Sequence, residues 1–327
     1  MHSERPLSSI PACFAYQGHQ NTVWSLAWSP NSTRLASASG DGTVQIWEVA
    51  TRRLLYTCPH DQGAVTGVTW SPDGSRLAFC TSVGTVQVWT ATGQLLLTFA
   101  GHARWATGIS WSPDGTRLAS ASEDQTVKVW EAATGSPLLT YTGHRGQVSS
   151  LAWSSDSTHL ASASADRTVQ VWDPTTGQQL RHRTSGGTVH AVAWSSDGTR
   201  LVFGGVDCRF HVWDLTAGQV IFTRKCSGQR RHLHTPTLSR STGAVTAVTF
   251  SPDGRCVVSG GASGSVEVWD IASRIALQVL GSTRRTYAVA WSPDGTFLAW
   301  GGSDREVTVW AASQGILSQD DLHYEYA

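Results

Sequence analysis

Histidine, serine and aspartate recur at fixed distances ahead of a tryptophan in this 327-residue chain. Counting back from the tryptophan, the serine stands ten residues before it and the aspartate six. The full set occurs three times: His19, Ser37, Asp41 and Trp47; His102, Ser120, Asp124 and Trp130; His144, Ser162, Asp166 and Trp172. A Ser-His-Asp constellation is the equipment of a hydrolase, in which the imidazole takes the serine proton and the carboxylate orients the ring. Two features count against that use here. An active site is singular whereas these sets repeat, and no G-x-S-x-G turn is present to present a strained, exposed nucleophile.

Other chemistry has little to stand on. Cys13, Cys58, Cys80, Cys208, Cys226 and Cys256 are far apart and form no Cys-x-x-Cys pair, which excludes a dense disulfide scaffold and the usual zinc spacings. His232-Leu233-His234 could bring two imidazoles together, but no third ligand type is close in sequence, so no metal and no cofactor is expected. The Gly pairs at 204–205, 260–261 and 301–302 end strands with no helix after them, so they make no phosphate loop. Asp320-Asp321 reads as solvated charge in a tail. Twenty-four basic and 24 acidic residues cancel, which argues against a whole-chain nucleic-acid or acidic-membrane binder. The 40% apolar content excludes a disordered chain. The N-terminus carries no apolar secretory core, and no run of about 18 apolar residues occurs. A reduced, cytoplasmic protein with no membrane partner is expected.

The elements that must position these residues follow from the tryptophans, of which there are 16. Trp47, Trp89, Trp130, Trp172, Trp213, Trp269 and Trp310 are spaced by 42, 41, 42, 41, 56 and 41 residues. Trp28, Trp70, Trp111, Trp153, Trp194, Phe250 and Trp291 repeat at the same intervals. Each unit reads as strands: TVWSLAW, the turn SPNS, RLASAS, the turn GDG, TVQIW, then RLLYT. The SPDG turns at 71–74, 112–115, 251–254 and 292–295 use Pro to fix φ, Asp at the third position and Gly to end. Four strands per unit and seven units predict an all-β, seven-bladed β-propeller of four-stranded antiparallel blades.

These residues resemble the WD-repeat family. The likeness rests on Gly-His at 18–19, 101–102 and 143–144 and on the endings Ile46-Trp47-Glu48, Val171-Trp172-Asp173, Val212-Trp213-Asp214 and Val268-Trp269-Asp270. The density of the SPDGTRLAS-type consensus is similar to that of regular bacterial members. The resemblance implies a ring of blades around a central channel, and it makes each His, Ser, Asp and Trp set a buried hydrogen-bond chain. Blades 2, 5, 6 and 7 depart from the set: Phe79, Phe203, Ser259 and Trp300 stand at the Ser position, and Val83, Asp207, Ser263 and Asp304 at the Asp position. At the His position His60 is displaced, and Ser185, Ser241 and Ser282 follow in the other three, so these blades are expected to lean on apolar packing. Phe14-Ala15-Tyr16-Gln17-Gly18-His19 matches the fourth-strand ends Phe99-Ala100-Gly101-His102 and Tyr141-Thr142-Gly143-His144, so the N-terminal strand is expected to close the ring. Gly315-Ile316-Leu317 is the rival for that place. The expected organisation is a tail at 1–12, one propeller at 13–317 with an insertion at 223–241 between blades 5 and 6, and a tail at 318–327.

Function should then sit on the face where the fourth-to-first and second-to-third turns open, which the family most often uses for partners. The positions pointing to the channel mouth read Trp24, Thr66, Thr107, Ser149, His190, Thr246 and Tyr287, with Thr22, Trp105, Gln147, Thr188 and Arg285 among those two positions earlier in their blades and Glu123 and Ser303 before the turn Asp. Among mostly small hydroxyls, Trp24, Arg104, Trp105, Glu123, Arg145, His190, Arg285 and Tyr287 stand out as interface residues, because aromatics and Arg dominate interface energy. Trp24 and Trp105 have an alternative use, packing between neighbouring blades. The insertion carries Arg224, Lys225, Arg230, Arg231 and Arg240 and no acid. The leading expectation is a non-catalytic, monomeric scaffold for a protein or peptide partner. The alternatives are nucleic-acid or phosphoprotein binding through the basic insertion, and an enzyme at the mouth built on Glu123 and His190.

Overall fold

The computed structural model describes residues 13–60, 63–226, 243–281 and 284–312. They form seven four-stranded antiparallel sheets, and every strand is short, at five to seven residues. Within each blade the chain runs first, second, third and fourth strand from the channel outward. The first strands are Val23–Trp28, Val65–Trp70, Ala106–Trp111, Val148–Trp153, Val189–Trp194, Val245–Phe250 and Thr286–Trp291. Each packs beside the next, and the seventh packs beside the first, so the ring closes.

Blade 7 takes its fourth strand from the N-terminus: Cys13–Gln17 pairs antiparallel with Glu306–Ala311, in register from Cys13 opposite Trp310 to Gln17 opposite Glu306. Tyr16 is buried there and stacks on Trp47 of blade 1 at 4.5 Å, tying the closing strand across the seam. Gly315 to Leu317 lie outside the described residues.

The core is divided into wedges between consecutive blades. Ala36, Val44 and Ile46 of blade 1 meet Val65, Trp70 and Phe79 of blade 2, and Val307 and Val309 of blade 7 meet Val23, Leu35 and Trp47 of blade 1. Burying one such side chain is worth about 1.5–3 kcal/mol, so each blade is stable chiefly through its neighbours. The inner tryptophans add a polar link. Trp28 donates Nε1–H to the Ala290 carbonyl (3.0 Å), Trp70 to Ala27 (3.0 Å), Trp153 to Ser110 (3.2 Å) and Trp194 to Ala152 (3.0 Å), each reaching back to the preceding blade.

Candidate functional site

In blades 1, 3 and 4 the polar sets are assembled. Nδ1 of His19, His102 and His144 lies 2.9, 2.9 and 2.8 Å from Oδ2 of Asp41, Asp124 and Asp166. Nε2 of the same rings lies 2.7, 2.8 and 2.7 Å from Oγ of Ser37, Ser120 and Ser162. Trp47, Trp130 and Trp172 donate Nε1–H to those serines. An aspartate only accepts, so Nδ1 carries a proton, and Nε2 shares a hydrogen bond with the serine hydroxyl. Burial pushes His102 and His144 below the ordinary histidine value, against the pull of Asp124 and Asp166. Burial raises Asp124, but hydrogen bonds from Thr126, His102 and the Ala103 amide outweigh it and bring the carboxyl down to about 2. The three serines are 0% exposed, which leaves no route for a substrate to their hydroxyls.

The departing blades solve the same problem differently. In blade 2, Phe79 stacks on Trp89 at 5.9 Å, and Trp89 donates to Gln87. In blade 5, Phe203 stacks on His211 at 5.0 Å, and Nε2 of His211 lies 3.1 Å from Oδ2 of Asp207; the imidazole comes from the third strand, not from the blade entry. In blade 6, the thiol of Cys226 meets Ser259 Oγ at 3.3 Å, so Cys226 fills the place expected of Ser241, which lies outside the described residues.

A cavity of about 510 Å³ opens at the channel mouth, lined by Trp24, Thr66, Trp105, Thr107, Glu123, Gln147, Ser149, His190, Val206, Ala244, Thr246, Ala262, Arg285 and Tyr287. One device places seven of these. The pairing of first and second strands slips at one residue in every blade, and the skipped residues are Trp24, Thr66, Thr107, Ser149, His190, Thr246 and Tyr287. A β-bulge leaves its extra residue out of the ladder and re-aims its side chain; repeated around the ring, it turns one residue per blade to the mouth. Thr66, Thr107 and Thr246 spend their hydroxyls on the next blade, donating to the carbonyls of Ala106, Val148 and Thr286. Trp24 packs against Tyr287 across the junction of blades 1 and 7, with ring centroids 4.6 Å apart. Trp105 is 50% exposed, and its carbonyl accepts the Glu123 amide at 2.9 Å. Burial lowers His190 below the ordinary histidine value, disfavouring its charged form in the mouth. Arg285 is exposed on blade 7.

Arg104 and Arg145 are exposed outside this lining, and the Arg145 amide donates to Asp166. Val206 and Ala262, which sequence reasoning missed, precede Asp207 and Ser263 at the offset that Glu123 has before Asp124; the signal was present at that turn position. The insertion needs a correction. Arg224 and Lys225 are not loop residues but end the fourth strand Gln219–Lys225. Arg224 lies over the Trp269 ring at 4.5 Å, where blades 1, 3 and 4 receive Tyr16, Phe99 and Tyr141 against their tryptophans; its long stem and flat guanidinium replace an aromatic. Arg230, Arg231 and Arg240 lie outside the described residues. Among the described residues no group of three His, Cys, Asp or Glu side chains is placed to hold a metal ion, and no helix is long and apolar enough to cross a membrane.

The family model described as IFT122 first beta-propeller matches residues 64–234, just over half of the chain. That described as WD domain, G-beta repeat matches 12–48, 232–270 and 276–311. Individual relatives match over short stretches. Eukaryotic translation initiation factor 3 subunit I of Neurospora crassa is 50% identical over 42 residues, 13% of this chain and 12% of that protein. The striatin homolog of Dictyostelium discoideum is 46% identical over 46 residues, 14% of this chain and 6% of that protein. Ribosome biogenesis protein BOP1 of Rattus norvegicus is 47% identical over 55 residues, 16% of this chain and 8% of that protein. The chain thus spans about a tenth of these relatives or less. All three are eukaryotic, so the expected likeness to bacterial members finds no support in them. Two family models that between them reach from the closing strand to the last blade, on a ring of seven four-stranded sheets, show that the chain belongs to the WD-repeat β-propellers.

Proposed function

We propose that this propeller is a non-catalytic, monomeric scaffold that seats a peptide segment of a protein partner in the mouth of its channel. The observation that carries this reading is the bulge ring. It turns Trp24, His190 and Tyr287 into one cavity with Trp105, Glu123 and Arg285, on a frame that gives them little freedom. Large aromatic anchors and Arg make interface hot spots, and a rigid ring binds with little rearrangement. Glu123 on blade 3 and Arg285 on blade 7 carry opposite charges, so a segment crossing the mouth would be read in one direction. The buried serines of the His, Ser and Asp sets are out of reach, and the Thr66, Thr107 and Thr246 hydroxyls that share the lining with Glu123 and His190 are spent on carbonyls of the next blade. Cytoplasmic residence and a propeller domain spanning 13–317 between two tails complete the reading. It is tested by affinity capture from the source cell's lysate with wild type and a Trp105→Ala/Arg285→Ala variant of unchanged melting temperature. The captured partner should fall by about tenfold or more, the loss of two hot-spot contacts. Equal capture would remove the mouth as the site.

A further inference from the structure

We propose that the upper outer corner of blade 5, centred on Arg209 and Lys225, binds a phosphorylated segment of a partner protein. The site stands apart from the channel mouth. Arg209 opens the third strand of blade 5, Arg209–Asp214, and sits directly opposite Lys225, the last residue of the fourth strand. Both are exposed. Like charges on one rung of an antiparallel ladder repel and destabilise it. The equivalent rungs carry no such pair: Thr43 faces Pro59, Thr85 faces Ala100, Thr168 faces Thr184, Ser265 faces Gly281 and Glu306 faces Gln17. Blade 5 alone among these places two cations where its sisters place neutral residues or one acid.

Nothing among the described residues neutralises them. Neither side chain makes an ion pair or a hydrogen bond there. The nearest acid in sequence, Asp207, is committed elsewhere: Oδ1 accepts the Arg209 backbone amide at 3.1 Å, and Oδ2 faces His211 Nε2 at 3.1 Å and Ser185 Oγ at 3.5 Å. Arg224 is occupied over Trp269. An anion between Arg209 and Lys225 would turn the repulsion into two charge-assisted contacts. The charge is also compact. The next rung on the same face pairs His211 with Thr223, joined through Nδ1 and Oγ1 at 3.0 Å. One rung with two cations matches a single phosphate dianion, whereas a nucleic acid needs a track of cations along its backbone.

The test uses the whole chain and three labelled probes: a degenerate peptide pool with a central phosphoserine, the same pool with plain serine, and a single-stranded oligothymidine. Binding is read by fluorescence anisotropy for wild type, each single threonine variant and Arg209→Thr/Lys225→Thr. The phosphorylated pool should bind about tenfold more tightly than the plain pool, the range of one or two charge-assisted contacts. That preference should weaken in each single variant and vanish in the double variant. The double variant should also melt no lower than wild type, because it gains the rung that blade 4 already has. A preference kept by the double variant overturns the proposal. So does a lowered melting temperature, which would make the pair structural. Tighter binding of the oligothymidine than of the phosphorylated pool overturns the proposal and assigns the corner to nucleic acid instead.

Discussion

At the residue scale, the His, Ser, Asp and Trp sets show how one constellation changes meaning with its surroundings. In a hydrolase the serine faces solvent and the imidazole cycles its proton. Here the serine is sealed between an imidazole and an indole, and every donor has an acceptor. Asp124 accepts from His102, the Ala103 amide, and the Thr126 amide and hydroxyl. Asp124→Ala should therefore lower the melting temperature by roughly 2–10 °C, the effect of stranding buried donors at about 1–3 kcal/mol; thermal scans of wild type and variant check it. The pH dependence has a definite sign. His102 and His144 titrate below their ordinary 6.5 in the native state, so native protein holds fewer protons and loses stability as pH falls through those lowered values. Asp124, near 2 instead of 3.8, adds a loss of the same sign between about pH 4 and pH 2. Urea midpoints measured from pH 7 downward should fall monotonically, with no stabilising step on acidification. The repeated sets were legible because their offsets recur in the sequence. The substitutes were not: His211, Cys226 and Arg224 do the work of a blade-entry imidazole or an aromatic from unrelated positions, and only three-dimensional proximity shows it.

At the element scale, strands and turns were readable from alternation and from the paired tryptophan series, but the bulges were not. A bulge is a mismatch of residue count between two paired strands, so it exists only in the pairing. That is why the mouth residues could be aligned by offset while the reason they face the mouth could not be seen. Turn chemistry is partly local and yields a sharp comparison at one position. The residue after the turn aspartate or its equivalent has positive φ in all seven blades: Gly42, Gly84, Gln125, Arg167, Cys208, Gly264 and Arg305. Gln125 holds φ 72° with a side chain, whereas at Gly84, with φ 81°, a Cβ would lie 2.5 Å from the His102 carbonyl oxygen. Gln125→Gly should thus be neutral or stabilising by up to about 1 kcal/mol, and Gly84→Ala destabilising by more than that. Chemical denaturation of the two variants measures both; a stabilised Gly84→Ala would contradict the turn geometry.

At the scale of the whole molecule, closure by Cys13–Gln17 is what makes seven wedge cores into one ring. Without that strand, Glu306–Ala311 presents an open edge and Trp47 loses Tyr16. Removing residues 1–17 should cost several degrees of thermal stability and promote association through the bare edge, both seen by coupling thermal scans to light scattering. The rigid ring in turn supports the central claim, that the channel mouth is where a partner sits. The most direct measurement replaces Trp105, in the mouth, and in a second protein the exposed outer-strand residue Leu138 with a photo-crosslinking phenylalanine analogue, and compares what each captures in cells. The account predicts a discrete crosslinked partner from position 105 and none of it from position 138. The same partner captured from 138 and absent at 105 would contradict it.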